Sequence, residues 1–328
     1  MKLTNFSSKA RKATCLIALL GSMAAQGANH IGTLKMGVEP WLGYGQWFVA
    51  AKDGLFKQQG FNKVDIVNFT EDKDINAALA SGQIDAANIA THTAMGMIGA
   101  GLPVKAVLLL DQSNTADAML ASPKIKSLKD LKGKKVAYEQ GTTSDILLHS
   151  ALSSVHMTDA DIVPVPMPAS NAGSALIAGQ VPVAVTYEPY ISVAKKNDPT
   201  LKMLYSGASD PGLISDVLVV RQSVIDRHPE QVAALIAVWK KSLANYRQHT
   251  QRDRAIIAKA VGASPEDLKT AFDGIKYIDI KTNKTMLEGD FRSKTFPHIL
   301  KAAKSASLIP TDVKFTQVFD DSFVKKAK

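Results

Sequence analysis

The stretch Gly141-Thr142-Thr143-Ser144 has the composition of an anion cradle. Glycine lets a ligand approach the backbone, hydroxyls donate, and the free N–H groups of a helix start attract negative charge. The same residues suit plain helix capping by Thr142 or Thr143 equally well. Thr91-His92-Thr93 offers a similar but weaker set of donors, because Ala94 to Met97 can continue it as helix. Trp41 and Tyr44 sit in the Gly-punctuated loop that starts at Glu39, where an aromatic serves either the core or the wall of a pocket. Two acids stand out. Glu188 follows the apolar run Val183–Thr186 and precedes Pro189, and Asp216 precedes the strand Val217–Val220. Each could meet a ligand ammonium, cap a helix or pin a hinge; a buried carboxylate needs a partner, and that rule does not choose among the three.

No constellation for catalysis accompanies them. His-Glu-x-x-His, clustered metal-ligand spacing, a Gly-x-Ser-x-Gly elbow and a phosphate loop ending in Gly-Lys-Ser/Thr are all missing, and the 7 histidines are dispersed. Catalytic residues, metal and cofactor are therefore not expected. The one cysteine, Cys15, lies in an N-terminal apolar run, so a chain processed after that run has neither disulfides nor thiol chemistry.

The elements that must position these groups alternate. Thr33–Val38 reads as a strand, the loop from Glu39 to Gly45 follows, and a helix runs from Gln46 to Asp53 with Gly54 as its stop. Val64–Phe69 is a second strand, Asp74–Ser81 a helix stopped by Gly82, and Ile84–Ile89 a further strand. The pattern restarts at Ser127, with a strand at Lys135–Tyr138 and a helix from Ser144 through Leu152. Strand–helix alternation of this kind predicts an α/β fold with largely parallel sheets, whose ligands sit beyond the carboxyl ends of the strands. A short internal echo supports two units on one plan: Ala78–Ala87 resembles Ala175–Ala184, each a helix end, a Gly stop and a strand. Common residue types could also produce it by chance, since glycine after a helix end is widespread. From Asp226 onward the chain reads as mostly helical, with a helix from His228 to about Gln248, one from about Arg252 to Val261, and a third capped by Ser264-Pro265-Glu266-Asp267.

The N-terminus reads as a cleaved export signal over residues 1–28. Lys2, Lys9, Arg11 and Lys12 form a basic region, an apolar stretch from Cys15 follows, and small residues end it at Ala25 or Ala28. That stretch is shorter than the roughly 20 residues a membrane span needs. The protein is thus expected in the periplasm. Of the 328 residues, 39 are Lys or Arg and 30 Asp or Glu; removing the four signal cations leaves 35 against 30. The basic residues are scattered, without the aromatic-interleaved stripe of a nucleic-acid protein.

Several stretches taken together resemble the substrate-binding proteins of nitrate, sulfonate and taurine ABC importers, a group with relatives that bind thiamine-pyrimidine precursors. They are Pro40–Tyr44, Ala50–Phe56, Ala78–Ala86, Ser127–Ala137, Tyr187-Glu188-Pro189 and Ser215–Val220. The resemblance implies a type II periplasmic-binding fold: a discontinuous lobe at 30–115 plus 222–328, a second lobe at 116–221, a cleft between them and two crossover strands. It implies a cleft lined by Trp41, Tyr44, Thr91, His92, Thr142, Thr143, Ser144, Glu188 and Asp216. Its implied partners are one small-molecule ligand and the transmembrane subunits of an importer, with the receptor itself a monomer. A taurine-like zwitterion would then place its acid on Thr142–Ser144 and its amine on Glu188 or Asp216, while a neutral or cationic amine would rely on the acids and Trp41. Enzymes share the fold, but the cysteine-containing features they use are absent after Cys15. Two departures from the family pattern bear on the cleft: Pro182 in the second copy of the echo, and Ser113–Asp117 where relatives carry Gly-Gly before the acid.

Overall fold

The computed structural model describes residues 30–327. The export signal expected at residues 1–28 lies outside the described residues. Eleven strands form two sheets. The first holds β1 (Thr33–Val38), β2 (Lys63–Asn68), β3 (Ala86–Ala90), β4 (Val104–Ser113), β10 (Ser215–Arg221) and β11 (Ile275–Tyr277). The second holds β5 (Asp117–Ala121), β6 (Lys135–Tyr138), β7 (Val163–Pro166), β8 (Val183–Tyr187) and β9 (Lys202–Ser206). Each sheet has three parallel strands, β2-β1-β3 in one and β7-β6-β8 in the other. One antiparallel strand follows in each, β10 beside β3 and β5 beside β8. The two lobes therefore repeat one strand order, and each borrows its antiparallel strand from a chain segment arriving from the other lobe.

The repeat explains the echo in the sequence. Helix Asp72–Ser81 and helix Ala169–Ile177 both end on a glycine of positive φ, Gly82 at 82° and Gly179 at 69°. In both the next residue bonds back to the helix, Gln83 N–H to Ala78 O at 2.9 Å and Gln180 N–H to Ala175 O at 3.0 Å. A left-handed residue at this point closes the helix end and releases the chain into a strand. Pro182, at the departure, sits just before β8 and leaves the pairing of that strand intact.

Burial follows the same plan. In β5, Ala118 and Leu120 face one apolar cluster while Met119 and Ala121 face another, the alternation of a strand covered on both sides. The first lobe has one large core that also takes in the C-terminal helices. Helix Pro229–Gln248 packs on helix Gly45–Lys52, with Trp47 and Trp239 at 5.0 Å and Ser242 Oγ donating to Gln46 O at 2.8 Å.

Three expectations are corrected. Residues 215–221, assigned from the sequence to the second lobe, pair between β3 and β4 of the first, because Val217–Val220 are buried there on both faces. Thr91-His92-Thr93, weighed as a donor set ahead of a helix, is part of one, since helix Thr91–Gly99 begins at Thr91 itself. The third C-terminal helix does not form. Ser264 Oγ accepts from Asp267 N–H at 3.1 Å as its cap, but only turns follow until the 3-10 turn Ala271–Gly274 and the edge strand β11. Among the described residues no helix is long and apolar enough to cross a membrane.

Two segments cross between the lobes, β4 into β5 and β9 into β10. They bond to each other, Ser113 N–H to Ile214 O at 3.1 Å and Ala208 N–H to Asn114 O at 2.5 Å. The departure at Ser113–Asp117 lies here. Ser113 Oγ accepts from the Asp117 N–H at 3.0 Å and fixes the start of β5.

Candidate ligand-binding cleft

Where the strands of both lobes end, they enclose a narrow cleft of about 30 Å³. The first lobe contributes Glu39, Trp41, Tyr44, Asp72 and Asp216; the second contributes Asp117, Glu139, Thr142–Ser144 and Tyr187. This is the position at which parallel α/β sheets bind ligands. A larger open groove of about 1010 Å³ runs past His149, Asp210 and His298. Two of its histidines already pair with carboxylates, His149 with Asp159 at 2.9 Å and His298 with Asp210 at 2.7 Å.

The aromatic wall is built from the loop after β1. Trp41 is buried, donates its Nε1 to Asp111 Oδ1 at 3.3 Å, and meets Tyr187 of the other lobe edge-on at 5.9 Å. Gly43 permits that arrangement, since a methyl group there would collide with both the Asp111 carboxyl and the Trp41 indole. Tyr277 Oη donates to Leu42 O at 2.7 Å and holds the same turn from behind. Tyr44 is buried and hydrogen-bonds Asp216.

The carboxyl groups dominate the electrostatics. Burial pushes Glu39 well above the usual carboxylate range, with Asp72, Glu139 and Asp216 adding repulsion, and Glu39 shares a hydrogen bond with Asp72. Asp216 is driven up by burial and by Asp111 and Asp117. Burial raises Asp117 to about 7, against the hydrogen bond from Ser113. Glu139 also rises to about 7 through burial and Asp72, although its Oε2 accepts from Ala169 N–H at 2.9 Å. Asp111 Oδ2 and Asp117 Oδ2 are buried without a hydrogen-bond partner. Among the described residues no lysine, arginine or histidine lines the cleft.

Of the residues expected to line it, Trp41, Tyr44, Thr142, Thr143, Ser144 and Asp216 come together here. Thr91, His92 and Glu188 do not. Thr91 Oγ1 donates to Ser215 O at 2.6 Å and ties its helix to the start of β10. His92 is buried behind the cleft, where desolvation lowers it to about 4 and its ring bonds the Thr142 backbone across the lobes. Glu188 accepts from Ser192 N–H at 3.0 Å and caps helix Tyr190–Asn197 beside a separate surface hollow with Lys195. At the helix start the Thr142 and Ser144 hydroxyls are also occupied. Thr142 Oγ1 and Ser144 Oγ both donate to Glu139 O, at 2.9 and 3.2 Å, and Asp145 Oδ2 takes the Gly141 N–H at 2.7 Å.

Sequence reasoning passed over Glu39, Asp72, Asp117, Glu139 and Tyr187. A signal for two of them was available: Glu39 directly follows β1 and Glu139 directly follows β6, the matching strands of the two lobes.

A two-lobed α/β protein with a polar cleft at the strand ends and two crossover segments has the periplasmic-binding fold. A family model described as NMT1/THI5 like matches residues 43–252, and the chain belongs to that family. A putative aliphatic sulfonates-binding protein of Bacillus subtilis is 22% identical, over 95% of this chain and 94% of its own length. The taurine-binding periplasmic protein of Escherichia coli is 26% identical, over 67% of each chain. The crystal structure of the periplasmic aliphatic sulphonate binding protein SsuA from Escherichia coli superposes with a TM-score of 0.72 at 20% identity, covering 88% of this chain and 92% of that one.

Proposed function

We propose that this protein is an exported, monomeric receptor that encloses one small polar molecule between its lobes and presents it to the transmembrane subunits of an ABC importer. The observation that carries the reading is the composition of the cleft wall: Trp41 of one lobe against Tyr187 of the other, with carboxyl groups from both sides. A pocket built from two bodies joined by a pair of crossover segments closes on its ligand and opens to release it. The names of the sulfonate- and taurine-binding relatives fit the same role.

Within that role a taurine-like zwitterion or related nitrogen compound is the ligand class. Asp216 offers the ammonium end, and at the Thr142–Ser144 helix start across the cleft Thr143 is left for the acid end. Glu188 is turned to its own helix, so the amine contact falls to Asp216. The test is a melting-temperature screen of the processed chain against taurine, alkanesulfonates, nitrate, carboxylates and small amines, with scattering to follow compaction. A ligand that binds only the folded state raises the melting temperature by mass action. A selective rise with compaction, and recovery of the ligand unchanged after incubation, supports the receptor. No response to any compound, or turnover of one, ends the reading.

A further inference from the structure

We propose that the molecule held in the cleft carries a positive charge on an amine- or guanidinium-type group, which is received by two matched pairs of carboxylates and faced by Trp41, Tyr44 and Tyr187. The inference rests on the receptor reading and narrows its ligand class.

The carboxylates are placed by the repeat in the fold. Glu39 directly follows β1 and Glu139 directly follows β6, the central parallel strands of their lobes. Asp216 pairs with Ala90, the last residue of β3, and Asp117 pairs with Tyr187, the last residue of β8. Both members of each pair line the cleft. Two lobes of one plan therefore deliver equivalent acids to one small space from opposite sides. Asp72 joins them through its hydrogen bond to Glu39, and Asp111 lies behind Trp41.

Such a cluster repels itself unless protons or a cation neutralise it. Asp117 is 5% exposed and its Oδ2 has no partner, so a buried acceptor remains open at the wall. Leaving an acceptor buried and unpaired is costly, and a donor supplied by the ligand removes the cost. Ammonium and guanidinium groups supply several charged N–H donors, and their interaction with carboxylates is stronger than a neutral hydrogen bond. Aromatic faces attract the same cations. An anion finds the reverse. The cleft offers it no basic side chain, and the Thr142 and Ser144 hydroxyls and the Gly141 N–H already serve protein acceptors.

The experiment takes the processed chain, unfolded and refolded to strip any co-purified molecule. It measures melting temperature and calorimetric binding with guanidinium, ethylammonium and tetramethylammonium chlorides at millimolar concentration, against taurine, ethanesulfonate, and sodium and calcium chlorides at matched ionic strength. The expected result is selective binding of at least one organic cation, with ethanesulfonate and the metal salts inert. D117N and D216N should each weaken that cation at least tenfold while melting no lower than the parent, because each removes a buried charge without changing shape. Binding of ethanesulfonate, or of taurine with no organic cation, overturns the inference and leaves the receptor reading standing. Cation binding that survives both substitutions overturns it as well. A response to none of these compounds overturns it too, and the receptor reading then stands or falls on the wider screen.

Discussion

The two lobes share a strand order but reach the cleft with different chemistry. After β1 the first lobe sends Glu39 and then an aromatic turn, Trp41 to Tyr44, held from behind by Asp111 and Tyr277. After β6 the second lobe sends Glu139 and then a hydroxyl-rich helix start, Thr142 to Ser144, folded back on the Glu139 carbonyl. What the lobes keep in common is the acid at the strand end. What differs is the surface beside it, aromatic in one and hydrogen-bonding in the other. A ligand enclosed between them meets aromatic rings on one side and polar groups on the other, while both sides present carboxyl groups. Duplicated topology thus fixes where side chains converge, and local sequence decides what each side offers.

That comparison can be broken at several points. The largest effect is expected from removing both equivalents at once. Glu39→Gln with Glu139→Gln should weaken the best-bound cation by at least a hundredfold, taking about 1.5–3 kcal/mol for each charged hydrogen bond. Calorimetry on the double and both single variants checks it. If one single variant accounts for the entire loss, the lobes are not equivalent partners. Next comes Trp41→Ala, which deletes the edge contact to Tyr187 and takes the indole donor from Asp111 Oδ1. It should cost about two- to tenfold in affinity, given about 0.5–1.5 kcal/mol for an aromatic pair beyond area burial. It should also blunt the ligand-induced compaction seen by scattering.

A smaller contrast separates two glycines. Gly43→Ala must displace the Trp41 indole or the Asp111 carboxyl, so it should lower both melting temperature and affinity. Gly141→Ala meets open space, and its penalty comes from a φ of 84° alone. That strain is worth about 1–2 kcal/mol. Equal effects on affinity would remove the distinction between a glycine required for close packing and one required for its backbone.

The smallest effect is graded with pH. Asp117 and Glu139 both rise to about 7 in the folded chain, from ordinary values of 3.8 and 4.5. Between those limits the folded state binds more protons than the unfolded one, so stability falls as pH climbs from about 4 to about 7. Asp117 feels the charges of Glu188 and Asp72 there, and Glu139 those of Asp72 and Glu71, so each acid is pushed up further by acidic neighbours. His149 works in the opposite sense on the outer groove. Its bonds and charge contacts with Asp145 and its pairing with Asp159 lift it to about 9 against desolvation, so its contribution is full below about 6.5 and lost as pH rises through 9. Melting curves of the parent and of D117N from pH 4.5 to 8 test the first trend. A ligand cation should flatten it, and a curve that rises with pH contradicts it.

Much of this was legible in the chain itself. The alternation of strand and helix, the glycine stops at Gly82 and Gly179 and the echo around them fixed an α/β protein of two similar units, because hydrophobic period and turn chemistry are local properties. Trp41, Tyr44, Asp216 and the Thr142–Ser144 turn could be singled out because they follow or begin strands. Tertiary structure alone decided which acids meet. Asp117 and Asp216 lie on strands that cross between lobes, and their equivalence appears only once β5 pairs with β8 and β10 with β3. It also withdrew Thr91, His92 and Glu188 from the wall, since the direction of a side chain depends on which face its element buries. The charge of the cleft is likewise a sum over residues far apart in sequence, and such a sum exists only after the chain has folded.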